Sequence, residues 1–159
     1  MIQYLEPYKI LLKIMVSRGV QILYEPIEDT ILVEANRLRL IQVISNLLSN
    51  AVKFTKRDGG TIHISMKKQD DYGQEIALVS VKDAGVGIDP EISPRLFEKF
   101  ASKSFQGTGL GLFLSRSIIE AQGGRIWAEN NTGGQSGATF YFTLPIISNK
   151  RNSQKPTSR

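Results

Sequence analysis

A two-layer α/β (α+β) sandwich, with helices on one face of a single mixed sheet, is the fold class this sequence predicts. Three observations carry that expectation. Apolar residues recur at helical spacing over residues 36–55 and again over 110–122. Two neighbouring runs, 61–67 and 76–83, alternate with the period of a strand. Helical patterns and paired strand patterns interleave along the chain, which is the order of a layered α/β domain.

Residues 5–18 read as a helix through Leu11, Leu12, Met15 and Val16, closed by Gly19, since glycine tolerates a left-handed C-terminus. Residues 20–24 and 30–33 are short β-type runs joined through Glu25-Pro26, which predicts a hairpin. The longest helix follows over 36–55, where Leu40, Val43, Ile44, Leu47, Leu48 and Ala51 make a continuous apolar stripe. Arg57-Asp58-Gly59-Gly60 is a turn. In the next strand Ile62, Ile64 and Met66 face one way and Thr61, His63 and Ser65 the other. This alternation predicts a sheet with one face under helices and the other toward solvent.

Asp70-Asp71-Tyr72-Gly73 turns the chain into the strand 76–83. Asp89-Pro90-Glu91 and Ser93-Pro94-Arg95 each resemble a helix start, with a capping side chain ahead of a proline. The helix 110–122 ends at Gly123-Gly124. Strands at 125–129 and 138–145 close the fold, separated by the glycine-rich turn 133–137.

Composition sets outer bounds. The 159 residues, 41% hydrophobic and 22% charged, suit one globular domain with a real core. No apolar run approaches the roughly 20 residues of a membrane helix, and no secretory signal pattern opens the chain. Zero cysteines exclude disulfides and thiolate metal sites and suit a reducing cytoplasm. The net charge of +5 is mostly a tail: residues 148–159 hold Lys150, Arg151, Lys155 and Arg159 with no acid. That tail is expected to be a disordered solubilising end or linker, the alternative being an electrostatic partner contact. The body is left nearly neutral, which argues against nucleic-acid binding.

Three short segments carry chemistry. Asn46, Asn50 and Lys53 fall at spacings of four and three on one helix face. An amide oxygen there suits magnesium and an ammonium suits phosphate, or the three are ordinary polarity on an amphipathic helix. Asp83 ends a strand ahead of Gly85 and Gly87. A carboxylate so placed can accept from an adenine amino group while the glycines let the main chain approach a flat base; the alternative is a plain strand-to-turn connection. Gly107-Thr108-Gly109-Leu110-Gly111 precedes an apolar helix, where free amides can hold phosphate, or it is a flexible loop. It lacks the lysine and hydroxyl residue of a P-loop.

In their order and spacing these segments resemble the N, G1 and G2 boxes of the GHKL ATP-binding superfamily, closest to the catalytic (HATPase) domain of sensor histidine kinases. The N box is Asn46-Leu47-Leu48-Ser49-Asn50-Ala51-Val52-Lys53-Phe54-Thr55 and the G1 box Asp83-Ala84-Gly85-Val86-Gly87-Ile88. Leu96-Phe97-Glu98-Lys99-Phe100 is similar to the F box that borders the ATP lid. Gly123 to Trp127 and Gly137 to Pro145 match the last two strands, so the resemblance covers about residues 20–145.

The resemblance implies a Bergerat-type ATP-binding fold that binds ATP with magnesium. Asn50 would coordinate the metal, Lys53 would contact phosphate, Phe54 would lie against adenine and Asp83 would bind its amino group. Gly85, Gly87 and Ile88 would line the base pocket, with Thr139 beside Asp83. Gly107, Thr108, Gly109, Leu110 and Gly111 would hold the phosphates and hinge the lid. Relatives that hydrolyse ATP carry glutamate at the position of Asn46. An amide cannot act as a general base near neutral pH, so Asn46 favours phosphoryl delivery to an external acceptor.

The lid, 101–106, is short, with Lys103 as its one cation; Lys103 is expected to reach the γ-phosphate when the lid closes, the alternative being a solvated lysine on a loop. His63, the only histidine, sits in a strand and is not expected to be the phosphoacceptor. The acceptor would come from a separate dimerisation hairpin, with a response regulator downstream. Residues 1–19 would be the end of that hairpin or a first helix, 20–147 the catalytic domain, and the isolated domain a monomer. A GHKL protein-serine kinase or slow ATPase would show an acid at position 46. A degenerate partner-binding module would lack Asp83, Asn50 or the G2 glycines, and all are present.

Overall fold

Asn36 opens the main helix of the domain: its backbone is extended and its side chain accepts from the Arg39 amide at 3.1 Å, capping α1 over Arg37–Phe54. The computed structural model describes residues 19–25, 30–55, 59–101 and 109–147. The helix expected over 5–18, the lid with Lys103, Gly107 and Thr108, and the basic tail lie outside them.

Five strands form one sheet: β1 Val20–Tyr24, β2 Gly60–Asp71, β3 Gln74–Lys82, β4 Ile126–Asn130 and β5 Ala138–Pro145. Their order across the sheet is β1-β2-β3-β5-β4. β1 runs parallel to β2, and the other pairs are antiparallel, so the sheet is mixed as expected. A second helix, α2, spans Gly111–Glu120 and packs on α1.

The expected hairpin between 20–24 and 30–33 does not form. β1 pairs instead with β2, Val20 opposite Gly60 through Tyr24 opposite Ile64, while Val33 makes an isolated bridge to Ile146. The open backbone edge of β2 gives β1 a full parallel ladder, which outcompetes pairing with a run as short as 30–33. The two helix starts at 89 and 93 are also reduced. Asp89 makes a turn, its side chain accepting from the Glu91 amide at 2.9 Å, and Ser93–Arg95 is a single 3-10 turn.

The core lies between the sheet and the two helices. Val43, Leu47, Leu48, Ala51 and Val52 of α1 and Ile119 of α2 meet Ile62, Val81, Phe140, Phe142 and Leu144. Leu47 is completely buried. Leu47→Ala is expected to cost about 2–5 kcal/mol, read from the midpoint of chemical denaturation. A cost under about 1 kcal/mol would mean the stripe on α1 does not anchor the domain.

No helix covers the opposite face of the sheet among the described residues. There Ser65 and Ser80 share a hydroxyl bond of 2.7 Å, and Trp127 stacks on Tyr141 with ring centroids 5.2 Å apart. His63 stands on this face, opposite Lys82. No helix among the described residues is long and apolar enough to cross a membrane.

Candidate functional site

A cleft of about 370 Å³ opens between α1, the loop after β3 and the start of α2. Helical periodicity turns Asn46, Asn50, Lys53 and Phe54 of α1 into it. β3 delivers Asp83 to its floor, and Gly87, Ile88, Ile92 and Leu96 come from the following loop. Gly109, ahead of α2, and Gly111, its first residue, border it, with Ala138 and Phe140 from β5. A larger polar groove of about 830 Å³ lies on the open sheet face and contains His63 and Thr139. The cleft brings together Asn46, Asn50, Lys53, Phe54, Asp83, Gly87, Ile88, Gly109 and Gly111 of the residues selected from the sequence; Gly85 and Leu110 do not line it, Thr139 lines the groove, and Asp83 borders both.

Asp83 is the most constrained group in the cleft. Only 4% of it is exposed, and its Oδ1 accepts from the backbone amides of Gly85 at 2.8 Å and Ala138 at 3.2 Å. Burial pushes the carboxyl above its ordinary value, while those two amides pull it down. Oδ2 has no donor among the described residues and is not sealed from solvent. The carboxylate therefore offers one oriented acceptor in a poorly solvated place.

Gly85 makes this geometry possible: a Cβ there would collide with the Phe54 carbonyl and stand 2.9 Å from Asp83 Oδ1. The loop after β3 thus lies directly on the C-terminal end of α1, which joins the base-side and N-box residues. Phe54 is 44% exposed, and the Lys53 ammonium rests 5.2 Å from its ring centroid. Asn50 lines the same wall with its amide uncommitted to any other described residue.

Asn46 is committed. Its Nδ2 donates to Ser115 Oγ at 3.0 Å, and a Cβ on Gly111 would strike its Oδ1. Ser115 is 2% exposed, so this bond ties α1 to the buried side of α2. At the other end of the lid segment, the Phe100 amide donates to the Gly109 carbonyl at 3.1 Å. Gly109 has φ of +65° and Phe100 has φ of +62°. The backbone thus brings the end of the F-box segment to the beginning of the G2 helix. Leu110 provides the cap position of α2.

Thr139 is placed differently from its expected position. It neighbours Asp83 along the sheet, but strand alternation sends its side chain to the open-face groove, where Oγ1 donates to Asn131 Oδ1 at 2.7 Å. Ala138 and Phe140 line the cleft instead.

Sequence reading missed Ser115, Asn130 and Asn131. Asn130 takes the Ile88 amide on Oδ1 at 2.6 Å and returns Nδ2 to the Ile88 carbonyl at 3.0 Å. Asn131 Nδ2 donates to the carbonyls of Asp83 and Ser136, both at 2.8 Å. The available signals were an Asn-Asn pair at a strand end and one small polar residue inside an apolar helix; neither announces a partner far away in sequence.

A family model described as histidine kinase-, DNA gyrase B-, and HSP90-like ATPase matches residues 35–148. The cyanobacterial phytochrome A of Nostoc sp. is 39% identical over 137 residues, 84% of this chain and 17% of that protein. Sensor protein FixL of Bradyrhizobium diazoefficiens is 41% identical over 115 residues, 72% of this chain and 22% of that protein. The chain therefore spans less than a quarter of these curated relatives. Among solved structures, the catalytic domain of histidine kinase ThkA superposes with a TM-score of 0.74 at 34% identity, covering 89% of each chain. Full-length ShkA in complex with AMPPNP gives 0.72 at 27% identity, covering 92% of this chain and 29% of that one.

Proposed function

This chain belongs to the family of histidine kinase-, DNA gyrase B-, and HSP90-like ATPases, and from that membership we infer that it is the ATP-binding catalytic domain of a sensor histidine kinase. It delivers the γ-phosphoryl of ATP to a histidine on a separate dimerisation hairpin, from which a response regulator takes it. The observation that carries this reading is the cleft itself. One oriented carboxylate oxygen on Asp83 shares it with the amide of Asn50 and the ammonium of Lys53. On this reading Asp83 takes the base, and Asn50 and Lys53 take the phosphates, within one cleft.

Magnesium fits this donor set. No group of three His, Cys, Asp or Glu that could hold a metal occurs among the described residues. Asn50 would hold such an ion through its amide oxygen, together with phosphates and waters, as magnesium is usually held. When bound, it neutralises charge on the phosphates. Asp83 accepts from the adenine amino group, and Phe54 and Ile88 flank the base. Gly87 permits the backbone to approach, and Lys53 pairs with phosphate oxygens. Gly107, Thr108, Gly109, Leu110 and Gly111 supply amides, and Lys103 reaches the γ-phosphate.

Asn46, held by Ser115, has no proton-accepting group to offer an attacking water. The site positions and stabilises charge, which is most of what phosphoryl transfer requires. The nucleophile comes from outside the described residues, so the chain alone should bind nucleotide with little turnover.

The test supplies radiolabelled ATP, magnesium and the separately prepared acceptor hairpin of a homologous histidine kinase. Acid-labile, alkali-stable label on the hairpin is expected. Free phosphate without labelled hairpin would favour a slow ATPase, and acid-stable label would favour a serine kinase.

A further inference from the structure

The loop that carries the base-reading groups is not self-supporting. Between Asp83 and Ile88 it has no regular secondary structure. It is fastened from behind by the strand end of β4 and the turn that follows. Asn131 uses its whole amide there: both Nδ2 protons go to carbonyls, of Asp83 and Ser136, and Oδ1 accepts the Thr139 hydroxyl. Asn130 pairs with both backbone groups of Ile88, as a strand would. Only a primary amide has two donors and an acceptor in so small a fork. An aspartate at 131 would press a carboxylate against two carbonyl oxygens.

From these contacts we propose that Asn131, with Asn130 and Thr139 behind it, is a positioning residue that sets the base selectivity of the nucleotide site by fixing the backbone of Asp83. The Asp83 carboxylate can discriminate an amino group from a hydrogen only while its direction is fixed. Its own main chain is held on one side by the amide of Asn131 and on the other by β5, where the Asp83 amide donates to the Ala138 carbonyl at 2.9 Å. Thr139 thus reaches the base site through Asn131, although its side chain faces the opposite side of the sheet. The inference rests on the nucleotide-binding reading given above.

The measurement compares ATP with purine riboside 5′-triphosphate, which lacks only the 6-amino group, by calorimetric titration on the 159-residue chain. Wild type should prefer ATP by about tenfold or more, the scale of one hydrogen bond to a charged acceptor. In Asn131→Ala that preference should fall severalfold, with affinity for purine riboside triphosphate nearly unchanged. Thr139→Val keeps the strand and removes only the hydroxyl donor, so it provides a second variant that should fold. Its preference should fall about two- to threefold, the share of one weakened hydrogen bond.

Equal weakening of both ligands would reduce Asn131 to a structural role and overturn the proposal. An unchanged preference in both variants would do the same. If wild type bound neither ligand, the nucleotide-binding reading would fail first, and the proposal with it.

Discussion

Asp83→Asn is expected to weaken ATP binding by about ten- to a hundredfold, the loss of a charge-assisted hydrogen bond, while leaving the domain folded. The side chains are isosteric. The asparagine oxygen can keep the two amide bonds from Gly85 and Ala138 that Oδ1 now accepts. The amide nitrogen then occupies the place of Oδ2 and presents donors to an amino group that is itself a donor. Inosine triphosphate, whose base carries an oxygen there, should lose much less, so the ATP-to-ITP ratio is the decisive readout. A variant that bound ATP as tightly as wild type would remove Asp83 from base recognition.

The same substitution should raise thermal stability at neutral pH. Burial raises the folded carboxyl above 3.8, so the folded state takes up a proton more readily than the unfolded one. Across the window between 3.8 and the raised value, wild type gains stability as pH falls. Above that window the buried charge is a net cost that asparagine does not carry. The melting advantage of Asp83→Asn should therefore be largest near pH 7 and shrink on acidification through that window. An advantage that grew toward acid would show that the amide bonds to Oδ1, and not burial, dominate.

Gly137→Ala should have the largest effect on the fold near the site. Gly137 has φ of +99°, and a Cβ there would overlap the Asp83 carbonyl and stand 2.7 Å from the Gly85 nitrogen. Backbone cannot swing aside as a side-chain tip can, so β5 would part from the loop after β3. Strain of this kind costs about 2–5 kcal/mol, a large share of a typical stability of about 5–15 kcal/mol. A fall in melting temperature on the order of 10 °C, with loss of nucleotide binding, is the expected result. A variant that melts within a degree or two of wild type would contradict the close approach.

Much of this was legible in the sequence because local signals and tertiary demands agree. The stripe on α1 is both a helix period and the buried face, and its ends fall at Asn36 and Thr55, where cap chemistry leaves them. β5 spans Ala138–Pro145, the run expected to follow the glycine-rich turn. The three motif segments converge because glycine marks the places where backbones must touch, as at Gly85 against Phe54.

What remained illegible is long-range. Parallel pairing of β1 with β2 depends on a ladder between distant segments, and nothing in residues 20–33 encodes it. The side of the sheet taken by Thr139 depends on register alone, and a one-residue step reverses it. Asn131 is a loop residue by every local rule; its hold on the site comes from the Asp83 carbonyl, 48 residues away.

The measurement that bears most directly on the account is a calorimetric titration of the chain with ADP and a non-hydrolysable ATP analogue, with and without magnesium. Saturable binding at one site, tighter for the triphosphate analogue when magnesium is present, is the predicted result. Heats that show no binding up to millimolar nucleotide would contradict it, and the cleft would then be a family fold that has lost its ligand.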